Sequence, residues 1–154
     1  MSLYKNPKYY EIAFSFRDIS YEVDFFEKAI KKFSKIKVRK VFELASGNSP
    51  YLEEWHKRCY EYCGLDLNRE MLNFVEERAK EKGIKVKLFQ ANMNKFSLEK
   101  LRVDLAYVLL GSLYAKSNDE FFNHLDSVAK ILKSGGLYIL DGVVWFNIFS
   151  DNKQ

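Results

Sequence analysis

Two carboxylates and a turn of small residues mark where this chain could do chemistry. In VFELASGNSP, residues 41–50, an apolar run reaches Glu43 and breaks almost at once into Ala45, Ser46, Gly47, Asn48 and Ser49. A strand that only fills a core has no use for a carboxylate near its end, because a buried charge without a partner is costly. The small residues beside it let the backbone turn tightly and lie against a ligand whose volume a larger side chain would occupy. Asp66, 19 positions after Gly47, closes the next apolar run. A carboxylate at that offset can accept hydrogen bonds from both hydroxyls of a ribose. These residues suit the holding of a nucleoside, with Glu43 as a further negative charge near one end of it.

The turn decides between two nucleoside ligands. A dinucleotide needs its pyrophosphate seated at a helix N-terminus through G-x-G-x-x-G. This chain offers GNSPYL, without the second and third glycines. Glu43 would also repel those phosphates. A ligand carrying a sulfonium and an ammonium group reverses the sign, being positive and free of phosphate. The turn therefore favours S-adenosyl-L-methionine, and a nicotinamide-dependent oxidoreductase is the weaker alternative.

The elements that must position these groups follow from periodicity. Residues 20–33 put Val23, Phe26, Ile30 and Phe33 on one helical face, with Ser20 as cap. Strands over 38–44 and 60–65 flank a short helix near 50–57, with Pro50 in its first turn. Asn68 caps a helix whose Met71, Leu72, Val75 and Ala79 share a face, and Gly83 ends it. Strands are expected over 84–91 and 103–110, separated by a polar passage with a helical turn near 97–101. A helix over 118–133 carries Phe121, Phe122, Leu125, Val128, Ala129 and Leu132, and Ser134-Gly135-Gly136 breaks it before a last strand. Alternation of this kind predicts an α/β fold: a doubly wound, mainly parallel sheet with helices on both faces, preceded by an N-terminal helical segment. Ligands of such sheets lie beyond the carboxyl ends of the strands, where the winding reverses. Glu43, Asp66, Asn92 and Gly111 should therefore gather along one edge.

At 154 residues the chain is read as one domain, with 1–36 as an N-terminal cap and 37–154 as the core. A composition 47% hydrophobic and 30% charged is globular and excludes disorder. The charge of +4, from 25 basic and 21 acidic residues scattered along the chain, is a weak argument for a polyanion partner. No apolar run approaches the roughly 18 residues of a membrane helix and no signal-peptide pattern opens the chain, so a soluble, cytoplasmic protein is expected. Cys59 and Cys63 form an isolated C-x3-C, read as reduced thiols with no metal site, and His56 and His124 are expected at the surface or rim. The N-terminal aromatics, from Tyr4 to Phe26, are read first as core packing.

The chain resembles the class I S-adenosylmethionine-dependent methyltransferases over nearly all of residues 38–143, with a Rossmann-like core. FELASGNS is similar to the family's first motif and GLDLNREML to its second. QANMNKF is similar to the passage after the third strand, and LLGSLYAKSNDE and ILKSGGLYIL to the fourth and fifth strands with the helix between. The resemblance implies that Glu43, Ala45 and Gly47 line the methionine end of the cofactor and that Asp66 holds the ribose. It implies that Leu67 and Met71 pack on the adenine, that Asn92 and Met93 contact its edge, and that Leu110 and Gly111 flank the sulfur. Tyr10, Phe16, Arg17 and Tyr114 are the substrate-side candidates. The implied reaction is methyl transfer to a small-molecule acceptor, and LLGSLY, unlike the Asp/Asn-Pro-Pro-aromatic signature, argues against nucleobase amines and against a nucleic-acid partner. No catalytic base is named. Ser49 and Pro50 stand where the motif has its second glycine. Family members continue past the fifth strand, so either this chain is a fragment of a longer protein or a partner, such as a second copy in a homo-oligomer, covers the open sheet edge. An inactive cofactor-binding subunit is the alternative from another class.

Overall fold

Successive residues of a strand face opposite ways, and the buried side chains of this sheet sort accordingly into two cores. The structure, a computed structural model, describes residues 7–142, and of Tyr10 the backbone alone. At the centre, β1 (Lys40–Leu44) pairs in parallel with β2 (Glu61–Asp66) on one side and β4 (Val103–Val108) on the other. Outside these, β3 (Lys87–Gln90) joins β2 and β5 (Leu132–Leu140) joins β4, so the order is β3-β2-β1-β4-β5, all parallel. The winding reverses between β1 and β4.

Val41, Tyr62, Leu105 and Tyr107 face one core, closed by α2 (Ile19–Phe33), α3 (Leu52–Lys57) and α4 (Arg69–Glu81). Phe42, Leu44, Cys63, Leu65, Ala106 and Val108 face the other, closed by α5 (Asn118–Ile131) and by Phe96 and Leu101. Ahead of these lies α1 (Pro7–Ala13), which packs on α4. The expected helices on both faces are present. Asp104 explains itself at the opposite end of the sheet from the motif turn: its buried carboxylate accepts from Arg39 N–H and Lys40 N–H at 2.9 Å each and pairs with Lys133 at 2.7 Å. A buried acid satisfied in this way fixes where β1 begins.

Several boundaries differ from expectation. The cap of α2 is Asp18, whose side chain accepts from Tyr21 N–H, not Ser20, which lies inside the helix. Val23 and Phe26 are buried as expected, whereas Phe33 is exposed, with Lys32 Nζ 5.0 Å from its ring. Between β3 and β4, residues 91–102 are turns that bring Phe96 and Leu101 onto the second core; the turn expected near 97–101 is closed by Leu101 N–H donating to the Leu98 carbonyl at 2.8 Å. Phe122 and Ala129 fall on the outer side of α5 and Leu132 already belongs to β5, since the buried stripe runs through His124, Val128 and Ile131. The aromatics near the amino end are only partly core: Phe26 is buried, while Tyr9, Phe16, Tyr21 and Phe25 are exposed, and Tyr4 lies outside the described residues. By contrast α4 matches its reading, with Asn68 as cap, the four named apolar residues buried and Gly83 at φ +67°.

Candidate functional site

Parallel strands deliver their carboxyl ends to one edge, and the reversal of winding leaves a crevice between β1 and β4. Glu43 faces the first core and is only 5% exposed. The Tyr62 hydroxyl donates to its Oε2. Burial pushes the carboxyl up to about 8, opposed by hydrogen bonds from Tyr62 and Tyr107 and by the positive charge of Arg17. Around it, Phe26, Tyr51, Trp55 and Tyr107 form an aromatic wall in which the Trp55 indole donates to the Tyr107 hydroxyl at 3.0 Å.

The turn after β1 places three alternate residues, Ala45, Gly47 and Ser49, at φ +53°, +52° and +49°. For Ala45 and Ser49 that left-handed backbone costs about 1–2 kcal/mol each, and the contacts around the turn sustain it. Gly47 N–H donates to Asp66 Oδ2 at 2.7 Å, and Ser46 N–H donates to the Leu65 carbonyl at 2.9 Å. From α4, Arg78 donates through Nη2 to the carbonyls of Asn48 and Ser49 at 2.7 and 2.6 Å, while Glu11 of α1 pairs with its Nη1 at 3.3 Å. The missing second glycine is thus replaced in conformation: Ser49 holds the backbone that a glycine adopts freely, under an arginine clamp. A Cβ on Gly64 would come within 2.9 Å of Ser46 Oγ, so β2 needs glycine there for the turn to lie close. Within the turn, Asn48 Oδ1 and Ser46 Oγ are buried without a hydrogen-bond partner.

Each expected site residue can be placed. Asp66 ends β2 and accepts from Gly47 N–H and, through Oδ1, from Asn68 N–H at 2.8 Å. Two of its roughly four lone-pair positions are thereby left for a ligand. Leu67 beside it is exposed, whereas Met71 is core. Asn92 is exposed, and its Oδ1 accepts from Asn94 N–H at 2.9 Å. The Met93 carbonyl is held at 2.7 Å by His124 Nδ1. Leu110 and Gly111 lie past β4 at φ +56° and +63°. Arg17 binds Glu22 through both Nε and Nη2 and donates to the Tyr51 hydroxyl, closing over the crevice. Phe16 is exposed and neighbours the Phe14 ring. Tyr114 is exposed in the loop before α5. Tyr10 lies in α1, with its side chain outside the described residues. Leu67 and Asn92, on the β2–β3 side, are therefore separated from Arg17 and Leu110, on the β4 side, by the turn itself.

Two cavities meet at this edge. The crevice against Glu43, Ala45, Gly47 and Asn48 measures about 40 Å³. The second, about 480 Å³, lies between α2 and the ends of β4 and β5. Arg17, Tyr51, Leu109 and Leu110 line both. A surface hollow of about 590 Å³ between Lys87 and Leu101 lies at the β3 side, away from these residues, so volume does not mark the site.

Three residues escaped sequence reasoning. His124 is fully buried, not at the surface or rim, and links the Met93 carbonyl to the Tyr138 hydroxyl; its spacing from Phe121, Val128 and Ile131 was the available signal. Asp141 follows β5 and accepts from Leu110 N–H at 3.1 Å; it is a strand-end carboxylate of the same kind as Asp66. Arg78 carries no signal, since an arginine on a helix is ordinarily solvated.

A family model described as a methyltransferase domain matches residues 41–136. No curated protein matches the chain. An S-adenosylmethionine-dependent methyltransferase from Clostridium acetobutylicum superposes with a TM-score of 0.73 at 22% identity, over 86% of this chain and 53% of that one. The sugar N-methyltransferase KedS8 of a Streptoalloteichus species gives 0.74 at 21% identity, over 92% and 56%. The glycopeptide N-methyltransferase MtfA, complexed with S-adenosyl-L-methionine, gives 0.64 at 21%, over 79% and 48%. The chain spans about half the length of these solved structures, and at such identities the likeness is one of fold. The family match covers the strands and the turn that carry Glu43, Gly47 and Asp66, and the chain belongs to the class I, Rossmann-like methyltransferase family.

Proposed function

We propose that this chain binds S-adenosyl-L-methionine across the ends of β2, β1 and β4 and transfers its methyl group to a small-molecule acceptor. The observation that carries the reading is Glu43: a carboxylate buried among aromatic rings with no full counter-charge, beside a turn with no seat for phosphate. A ligand bringing a positive charge relieves that burial, whereas the pyrophosphate of a nicotinamide cofactor aggravates it. The unpartnered oxygens of Asn48 and Ser46 in the same turn suit a ligand with hydrogen-bond donors.

When bound, this cofactor supplies a methyl group on a good leaving group, so the protein needs chiefly to position the reactants and exclude water. Glu43, Ala45 and Gly47 receive the methionine end. Arg17, its charge matched by Glu22, is a substrate-side candidate on the wall that the two cavities share. Asp66 takes the ribose hydroxyls, and Leu67 offers an exposed apolar surface to the base, with Met71 supporting it from the core and Asn92 and Met93 at its edge. Leu110 and Gly111 border the sulfur, where the larger cavity opens. Phe16, Tyr10 and Tyr114 remain substrate-side candidates.

Calorimetric titration tests the reading. S-adenosylhomocysteine should bind and NADH should not; the reverse order would overturn it. Turnover with radiolabelled cofactor then separates an enzyme from a subunit that only binds.

A further inference from the structure

The larger cavity shows what kind of acceptor it suits. Its walls are apolar and aromatic: Tyr21, Phe25 and Phe26 of α2 face Ile139 and Leu140 of β5, and the exposed rings of Tyr21 and Phe25 stand at its mouth. The charged groups lining it are Arg17, Glu22 and Asp141. Arg17 and Glu22 neutralise each other through a two-point ion pair. Asp141 has no ion pair among the described residues, and none of those lining the cavity is an unmatched cation. Asp141 is also tied to the methyl-transfer end: its Oδ2 accepts from Leu110 N–H and its carbonyl from Gly111 N–H, both at 3.1 Å.

From this juxtaposition we propose that the acceptor is an amine with an apolar or aromatic body, its nitrogen oriented by the Asp141 carboxylate at the junction of the two cavities. The proposal rests on the cofactor reading above. An ammonium group is drawn by Asp141 and by the faces of Tyr21 and Phe25, whereas a carboxylate or phosphate acceptor meets like charge. For transfer, the bound ammonium first loses one proton to water at the open side of the cavity. The nitrogen lone pair then forms the new N–C bond as the C–S bond breaks and its electrons return to sulfur. The positive charge moves from sulfur to the product ammonium.

Ligand-detected NMR on the free and the S-adenosylhomocysteine-loaded protein tests this with phenethylamine, 2-phenylethanol and phenylacetate, which share a ring and differ in charge. Phenethylamine should bind about fivefold or more tighter than the alcohol, with phenylacetate weakest. Asp141→Asn keeps an acceptor for Leu110 N–H and removes the charge, so it should cut the preference by at least about threefold. No amine binding, equal binding of the three, a preference for phenylacetate, or indifference to Asp141→Asn each overturns the proposal. Failure of S-adenosylhomocysteine to bind would sink the cofactor reading instead, because probe binding is also read on the free protein.

Discussion

Glu43→Gln is expected to make the protein more stable and a poorer binder of its cofactor. Burial pushes the Glu43 carboxyl from 4.5 up to about 8, against the hydrogen bonds of Tyr62 and Tyr107 and the charge of Arg17. Between those values the folded chain keeps a proton that the unfolded chain releases, so this group lowers stability as pH rises. At about 1.4 kcal/mol per pH unit, the deficit relative to about pH 4 reaches about 3 kcal/mol at about pH 7 and about 5 kcal/mol above about pH 8. An amide of the same shape still accepts from Tyr62 and escapes the deficit. Urea unfolding should therefore show wild type and Glu43→Gln converging at the acidic end, with the variant ahead by about 3 kcal/mol near neutrality. The sulfonium and ammonium of S-adenosylmethionine would supply the missing counter-charge, so its affinity should rise by up to about tenfold per unit between about pH 6 and 8 in wild type. In Glu43→Gln it should be weaker and flat over that range. A stability difference that does not change with pH, or a variant less stable throughout, would refute the reasoning.

Other perturbations address the rest of the site. Asp66→Ala should weaken S-adenosylhomocysteine by about 1–3 kcal/mol in calorimetry, since the ribose hydroxyls lose their acceptor; unchanged affinity would count against that role. Arg78→Ala removes two charge-assisted bonds to the turn and should cost about 2–4 kcal/mol in urea unfolding, together with cofactor affinity, whereas Arg78→Lys should recover part of both. His124 is held below its usual 6.5 by burial, against its bond to the Met93 carbonyl. The unfolded chain therefore takes up a proton that the folded chain resists, and His124→Gln should lose less melting temperature than wild type on going from about pH 7 to about 5.5.

The legible parts of this molecule are those in which one local segment states both an element and its interruption. The apolar run into Glu43, broken by small residues, shows a strand end and a site together, and α4 reads correctly because its cap, stripe and terminating glycine all lie within 16 residues of chain (Asn68 to Gly83). What could not be read depends on partners far along the chain. Ser49 looks like a defect in the turn because its left-handed backbone is disfavoured locally. Arg78, 29 residues on, offsets that penalty by binding the two carbonyls that the turn directs inward. His124 reads as a rim residue because histidine is intermediate in burial; its ring is buried only because the irregular passage after β3 brings the Met93 carbonyl over α5. That Phe96 and Leu101 of the same passage cover the second core is likewise invisible locally, since both stand among polar residues. Local preference therefore shows where the turn lies, and contacts from α4 and α5 decide the conformation in which it and the neighbouring loop meet a ligand.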